Sequence, residues 1–158
     1  MGYNSTVSDK QYANNRKAYH DYHILETVEA GLVLSGTEAK SVRAARISLR
    51  EAYVRIEHGE AWLVGAHIAH YAQGNRYNHE PTRPRKLLLH RDQIGHLAGK
   101  VKEGGMTIVP LRVYDRRGYV KLEIGLARGK KQWDKRQAIA SRESKREIDR
   151  AVKELSRA

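Results

Sequence analysis

The sequence predicts a mainly β fold: a small closed antiparallel β-barrel of about six strands with two or three short helices, followed by a disordered basic C-terminal tail. Three observations lead there. Runs such as 52–57, 107–114 and 119–127 alternate apolar and polar residues with the period of half-buried strands. Helical periodicity appears only briefly, near 37–46 and 91–102. The last thirty residues are rich in cations and poor in apolar side chains, whereas a chain of 158 residues with 40% hydrophobic content has enough material for one packed core and an appendage.

Taken in order, residues 1–14 are polar and aperiodic, which predicts a flexible leader, with structure starting near Asn15. Tyr22 to Ser35 reads as strand, a turn at Glu29-Ala30-Gly31, and a returning strand. Thr37 offers an N-cap hydroxyl to a short helix that ends near Arg43 and Arg46, cations that complement its dipole. Residues 52–57, a His58-Gly59-Glu60 turn and residues 61–68 make a second antiparallel pair. Residues 71–86 hold two of the three prolines and several cations, so a long loop is expected to enter a strand at 86–89. Arg91 to Lys102 has a helical stripe of Ile94, Leu97, Ala98 and Val101, stopped by Gly104-Gly105. Residues 107–114 and 119–127 flank the turn Asp115-Arg116-Arg117-Gly118. This divides the chain into a leader (1–14), a β-barrel domain (15–128) and a tail (129–158).

Charge points to a polyanionic partner. The net charge is +12, and residues 129–158 carry ten Lys/Arg against five Asp/Glu, leaving +5 in the tail and +7 in the body. The tail's apolar stripe of Ile148, Val152 and Leu155 is too narrow to bury it alone. Such a segment orders most readily against RNA, where released counterions offset the ordering cost. No run of about 18 apolar residues suggests a membrane span, and no charged-then-apolar leader is evident. The absence of cysteine removes disulfides, thiolate nucleophiles and thiolate-ligated zinc. A soluble cytoplasmic protein is the simplest reading. Met1-Gly2 and the Asn4-Ser5-Thr6 sequon are read as chance matches in a polar leader.

His67 and His70 make a tempting metal pair, but an odd separation along a strand puts the rings on opposite faces, and no metal site is expected. His20-Asp21 could be drawn as acid–base machinery, yet no activated nucleophile accompanies it, so no catalytic residue is assigned. Arg76, Tyr77, Arg83, Arg85 and Lys86 set guanidinium groups and a ring along one loop, the combination that phosphate contact and base stacking require. Asn15-Arg16-Lys17 with His20 and Tyr22 repeats that recipe. Glu29 is an acid in a basic protein, either a charge balancer or an acceptor for a base amine or ribose hydroxyl. Trp133 lies among Lys130, Lys131, Lys135 and Arg136 with no apolar periodicity around it, free to stack on an unpaired base or to pack on the barrel's rim. Asp134 can cap a following helix.

Several of these motifs occur together and in order: Asn15-Arg16-Lys17 through Glu29-Ala30-Gly31, Gly36-x-Glu38-x-Lys40-Ser41-x-Arg43, Ala52-Tyr53-Val54, Pro81-Thr82-Arg83-x-Arg85-Lys86-Leu87-Leu88-Leu89, and Gly129-Lys130-Lys131-Gln132-x-Asp134-Lys135-Arg136. Over residues 15–158 the chain resembles the SsrA-binding protein family, also called small protein B. The resemblance implies an oligonucleotide-binding (OB-fold-like) barrel and a noncatalytic adaptor without cofactor. Its implied partners are transfer-messenger RNA and the ribosome, engaged during bacterial trans-translation, with no membrane and no second copy of the chain. It further implies that Asn15, Arg16, Lys17, His20, Tyr22, Glu29 and Leu88 meet the tRNA-like domain of that RNA, with Lys40, Arg43, Arg83, Arg85 and Lys86 as phosphate contacts. The tail residues Lys130, Lys131, Gln132, Trp133, Asp134, Lys135, Arg136, Arg142, Lys145 and Arg146 would reach the decoding centre and the empty mRNA channel. A helix over 136–157 would span about 33 Å. Position 133 carries Trp where relatives often carry His. A structural ribosomal protein is the alternative of the same charge character, and an RNA-processing enzyme using His20 and Asp21 is a third.

Overall fold

A computed structural model of the chain describes residues 10–72, 78–130, 145, 146, 148–150, 152 and 153. Its elements are β1 (Gln11–Asn14), α1 (Arg16–Asp21), β2 (Tyr22–Leu32), α2 (Gly36–Arg43), β3 (Ile47–Ser48), β4 (Tyr53–Glu57), β5 (Glu60–Val64), β6 (His67–Ile68), β7 (Arg85–Leu88), α3 (Arg91–Lys102), β8 (Thr107–Arg116) and β9 (Tyr119–Gly129). The molecule is mainly β with short helices. All strand pairs are antiparallel, and the pairings β8–β4, β4–β5, β5–β7, β7–β2, β2–β9 and β9–β8 return to the strand from which they start. β3 and β6 form a separate two-stranded ladder.

Three elements differ from the sequence-based expectation. Gln11–Asn14, expected within a flexible leader, pairs with β8 at Gln11↔Tyr114 and Asn14↔Arg112, and the Tyr12 hydroxyl donates to Asp115 at 3.0 Å. The alternation of so short a strand is invisible without its partner. Asn15 then caps a helix that periodicity did not reveal, α1, accepting from the Ala18 N–H at 3.2 Å. Nor is there a turn at Glu29-Ala30-Gly31: β2 runs unbroken for 11 residues, with Glu29 opposite Glu123 and Gly31 opposite Lys121. Turn chemistry was present there, but pairing along the whole of β9 outweighs it.

The remaining boundaries shift slightly. Ser35, not Thr37, caps α2, in a reciprocal box in which Ser35 Oγ accepts from the Glu38 N–H and Glu38 Oε1 accepts from the Ser35 N–H at 2.8 Å. The expected strand 61–68 is broken at Gly65, whose φ of +81° and whose approach to the Glu51 carbonyl, 2.8 Å from where a Cβ would sit, admit only glycine. α3 begins and ends at the expected residues 91 and 102.

Two apolar clusters hold this arrangement. The larger joins Leu63, Ile68, Leu87, Ile108, Val113, Leu122 and Ile124 with Leu97 of α3 and Val42 of α2. The smaller, Ala18, Val109, Leu111 and Ala127, lies beneath α1 with Tyr22 and Ile24 against it. α1 is thereby fastened to β8 and β9, which places Arg16, Lys17 and His20 on its exposed side.

Candidate nucleic-acid interface

β2 and β7 pair only at Gly31↔Leu88 and Leu32↔Leu87. Beyond Leu88 the chain leaves the sheet for α3, so the edge of β2 from Thr27 to Glu29 faces a groove of about 620 Å³ rather than another strand. Glu29, Leu88, His90, Gln93 and Lys121 line it. His96 of α3 bonds to Glu26 of β2, fastening the helix along one side of this opening. Gly31 brings the two strands close: a Cβ on it would lie 3.1 Å from the Leu88 Cβ. Leu88 is turned outward and is 57% exposed, so it is groove surface rather than core.

Glu29 stands in this groove under tight control. The Tyr114 hydroxyl and Arg116 Nη1, the latter at 2.6 Å, both donate to its Oε1. The Tyr114 ring is buried and lies under two guanidinium groups, those of Arg112 at 4.3 Å and Arg116 at 5.1 Å. Burial pushes the Tyr114 hydroxyl well above its ordinary pKa, and the Glu29 carboxylate, by hydrogen bond and by charge, pushes the same way against the two arginines. The tyrosine therefore stays a hydrogen-bond donor across the physiological range.

A second cluster surrounds α1. Lys17 and Tyr22 line a hollow of about 200 Å³ with Arg50 and Tyr53, and Arg16 and Lys17 line an adjoining one of about 430 Å³ with Ser48 and Arg50. Lys17 is 3.4 Å from Glu51. His20 is 88% exposed and bonds to Asp21 at 2.9 Å. Asn15, expected at the RNA surface, is instead buried. Its amide donates to the carbonyls of Pro110 at 2.8 Å and Leu49 at 3.3 Å, which makes it a structural tie between α1 and β8.

The cations of α2 and the β7 approach divide into surface and interior. Lys40 lies 5.5 Å above the Tyr71 ring, and Arg43 donates to the Gly118 carbonyl at 3.0 Å with Asp115 3.6 Å away. Arg83 is 40% exposed and reaches Glu38, while Lys86 meets Glu60 at 3.3 Å. Arg85 is not a surface cation: it is fully buried, donating from Nε to Glu38 at 2.6 Å, from Nη1 to the Ala66 carbonyl at 2.9 Å and from Nη2 to the Glu80 carbonyl at 3.1 Å. A guanidinium so enclosed meets no phosphate, and its task is to join α2, β7 and the turn before β6. Loop residues Arg76 and Tyr77 lie outside the described residues, as do the tail residues Lys131, Gln132, Trp133, Asp134, Lys135, Arg136 and Arg142. Lys130 directly follows β9, and Lys145 and Arg146 are exposed on helical backbone, as are Ile148 and Val152.

His90, Gln93 and Lys121 of the groove were not singled out from the sequence. Lys121 is one of thirty Lys/Arg and Gln93 an ordinary helix residue; only the pairing of β2 with β9 and the position of α3 bring them to Glu29. Among the described residues no group of His, Cys, Asp and Glu is arranged to hold a metal, and no helix is long and apolar enough to cross a membrane.

A mainly β body with cations on several faces and one groove that combines a held carboxylate, a lysine and an outward leucine defines a nucleic-acid-binding domain. The chain belongs to the SmpB protein family, whose model matches residues 12–154. It is 60% identical to an SsrA-binding protein of Roseiflexus castenholzii over 150 residues, covering 94% of this chain and 95% of the relative. It is 55% identical to one of Shouchella clausii over 152 residues, covering 96% and 97%. A solved structure described as "tmRNA-SmpB: a journey to the center of the bacterial ribosome" superposes with a TM-score of 0.63 at 50% identity, covering 75% of this chain and 83% of the other.

Proposed function

We propose that this chain is a noncatalytic RNA-binding adaptor that binds transfer-messenger RNA and delivers it to stalled ribosomes. The observation that carries this reading is the groove between β2 and β7, where Glu29 and Leu88, distant in sequence, share one surface in a chain 60% identical to an SsrA-binding protein of Roseiflexus castenholzii. The ring of strand pairings is read as a closed, OB-fold-like barrel, a scaffold that presents such a surface for single-stranded or splayed nucleotides. Its ligand is the tRNA-like domain. Glu29, Leu88, Arg16, Lys17, His20 and Tyr22 face that RNA, and Lys40, Arg43, Arg83 and Lys86 supply phosphate contacts at the margins. Asn15 and Arg85 shape the surface from within.

Residues 130–158 act as a separate tail that lies as a helix in the vacant mRNA channel of the ribosome, with Trp133 and the Asp134-Lys135-Arg136 run at the decoding centre. The protein acts as a cytoplasmic monomer without cofactor or metal. Replacing Asp134, Lys135 and Arg136 together by Ala leaves the affinity for the tRNA-like domain nearly unchanged in a binding titration and abolishes tagging on stalled ribosomes in a reconstituted translation assay. Equal loss of both would overturn the division between body and tail.

A further inference from the structure

Glu29 sits in the groove with its two oxygens in unequal circumstances. Oε1 receives both the Tyr114 hydroxyl and Arg116 Nη1, which occupies its two lone-pair sites. Oε2 has no protein donor among the described residues. The arrangement is rigid at its base. Tyr114 is 2% exposed, and its ring is stacked under Arg112, itself held by Glu123 at 3.2 Å. The hydroxyl thus has one destination, and the rotamer freedom that a solvated glutamate would lose on binding is already spent. Arg116 also offsets the carboxylate's charge, so an acid can line a groove meant for a polyanion without repelling phosphate.

A carboxylate with both oxygens open matches the guanine Watson–Crick edge, accepting N1–H and N2–H side by side. A carboxylate with one oxygen occupied does not. From this we infer that Tyr114 and Arg116 are positioning residues that restrict Glu29 to a single neutral hydrogen-bond donor of the bound RNA, accepted at Oε2. A ribose 2′-hydroxyl and a lone exocyclic base amine share that chemistry. The inference rests on the proposed role of the groove and adds to it the kind of group that is read and the residues that enforce the choice.

The test uses the full-length protein and a transcribed tRNA-like domain of transfer-messenger RNA. Tyr114→Phe keeps the stacked ring and removes only the donor. It is expected to weaken binding about tenfold in the wild-type background and not at all in a Glu29→Ala background, with the salt dependence of binding unchanged because no phosphate contact is lost. Arg116→Gln serves as the second variant, likewise coupled to Glu29. A purely structural role for Tyr114 would instead lower affinity equally with and without Glu29, and that additivity would overturn the inference, as would full affinity in Tyr114→Phe. If Glu29→Ala itself binds as tightly as wild type, the assignment of the groove fails as well, a result distinct from additivity.

Analogue interference separates the two donors. A 2′-deoxy effect that vanishes in Glu29→Ala identifies a ribose hydroxyl, and an effect of purine riboside for adenosine that vanishes in the same way identifies a base amine. Loss from both N1-methylation and N2 removal at one guanosine, dependent on Glu29, contradicts the single-donor restriction. So does the absence of any analogue effect coupled to Glu29.

Discussion

The Glu38 carboxylate ties the cap of α2 to the approach and first residue of β7. Its Oε1 accepts from the Ser35 N–H and from Arg83, and its Oε2 from Arg85, all with no solvent exposure of the carboxylate. Burial alone would raise its pKa. The hydrogen bonds from Arg83, from the Ser35 backbone and from Arg85 outweigh that and lower it from 4.5 to about 2. A folded-state pKa below the unfolded value means that the stabilisation is complete above about pH 4.5 and is lost as the pH falls toward 2. At neutral pH it is worth about 3 kcal/mol. Urea unfolding at pH 7 and again near pH 3 checks this: Glu38→Gln should cost about 3 kcal/mol at pH 7, and the wild type's acid-induced loss over that interval should be much smaller in the variant. The sequence displays Gly36-x-Glu38 and Arg83-x-Arg85 plainly, but nothing in it distinguishes a buried arginine from an RNA-facing one. Arg85 alternates with Lys86 along β7, and only the strand's two neighbours, β5 and β2, decide which of the two points inward.

At the level of elements, the cap of α2 separates two hydroxyls that local sequence treats alike. Ser35 and Thr37 both precede helical residues, yet Thr37 Oγ1 is engaged with His79 Nδ1 at 2.9 Å and Ser35 serves the helix. Ser35→Ala is therefore expected to cost about 1 kcal/mol in thermal or denaturant unfolding, leaving the Thr37–His79 contact in place. α3, with its long apolar stripe and glycine stop, was legible to the residue because both signals are local. α1 was not: six residues hold too little periodicity, and its stability comes from Ala18 entering the smaller core and from Asn15 reaching across to β8. The long β2 was read as two strands for the opposite reason. Its turn-like residues are held extended by β9, whose register runs from Tyr22↔Gly129 to Gly31↔Lys121.

At the scale of the whole molecule the leading feature is positive charge carried on an antiparallel, mainly β framework. Lys121 lines the groove, further cations lie on α1, α2 and the β7 approach, and the net charge of +12 attracts a polyanion to the molecule as a whole. If several phosphates are neutralised on binding, affinity for the tRNA-like domain should fall by orders of magnitude between about 50 and 200 mM salt, measured by filter binding or fluorescence anisotropy; a flat response would contradict the phosphate assignments. Combining Lys40→Ala and Arg43→Ala should reduce the steepness of that dependence by about two without altering the analogue interference at Glu29.

Composition, alternation and helix signals are local quantities, and they were enough to establish a basic, mainly β chain with a cation-rich tail and to carry its family resemblance through the order of its motifs. Which residues share a surface is not local. Glu29, Leu88 and Lys121 meet because β2 pairs with β7 over only two registers before α3 turns away, and Tyr114 comes to hold Glu29 because β9 lies between β8 and β2. Burying apolar faces between the paired strands sets which side of each strand is turned to water, and that constraint made Arg85 an interior tie while leaving the groove open to solvent.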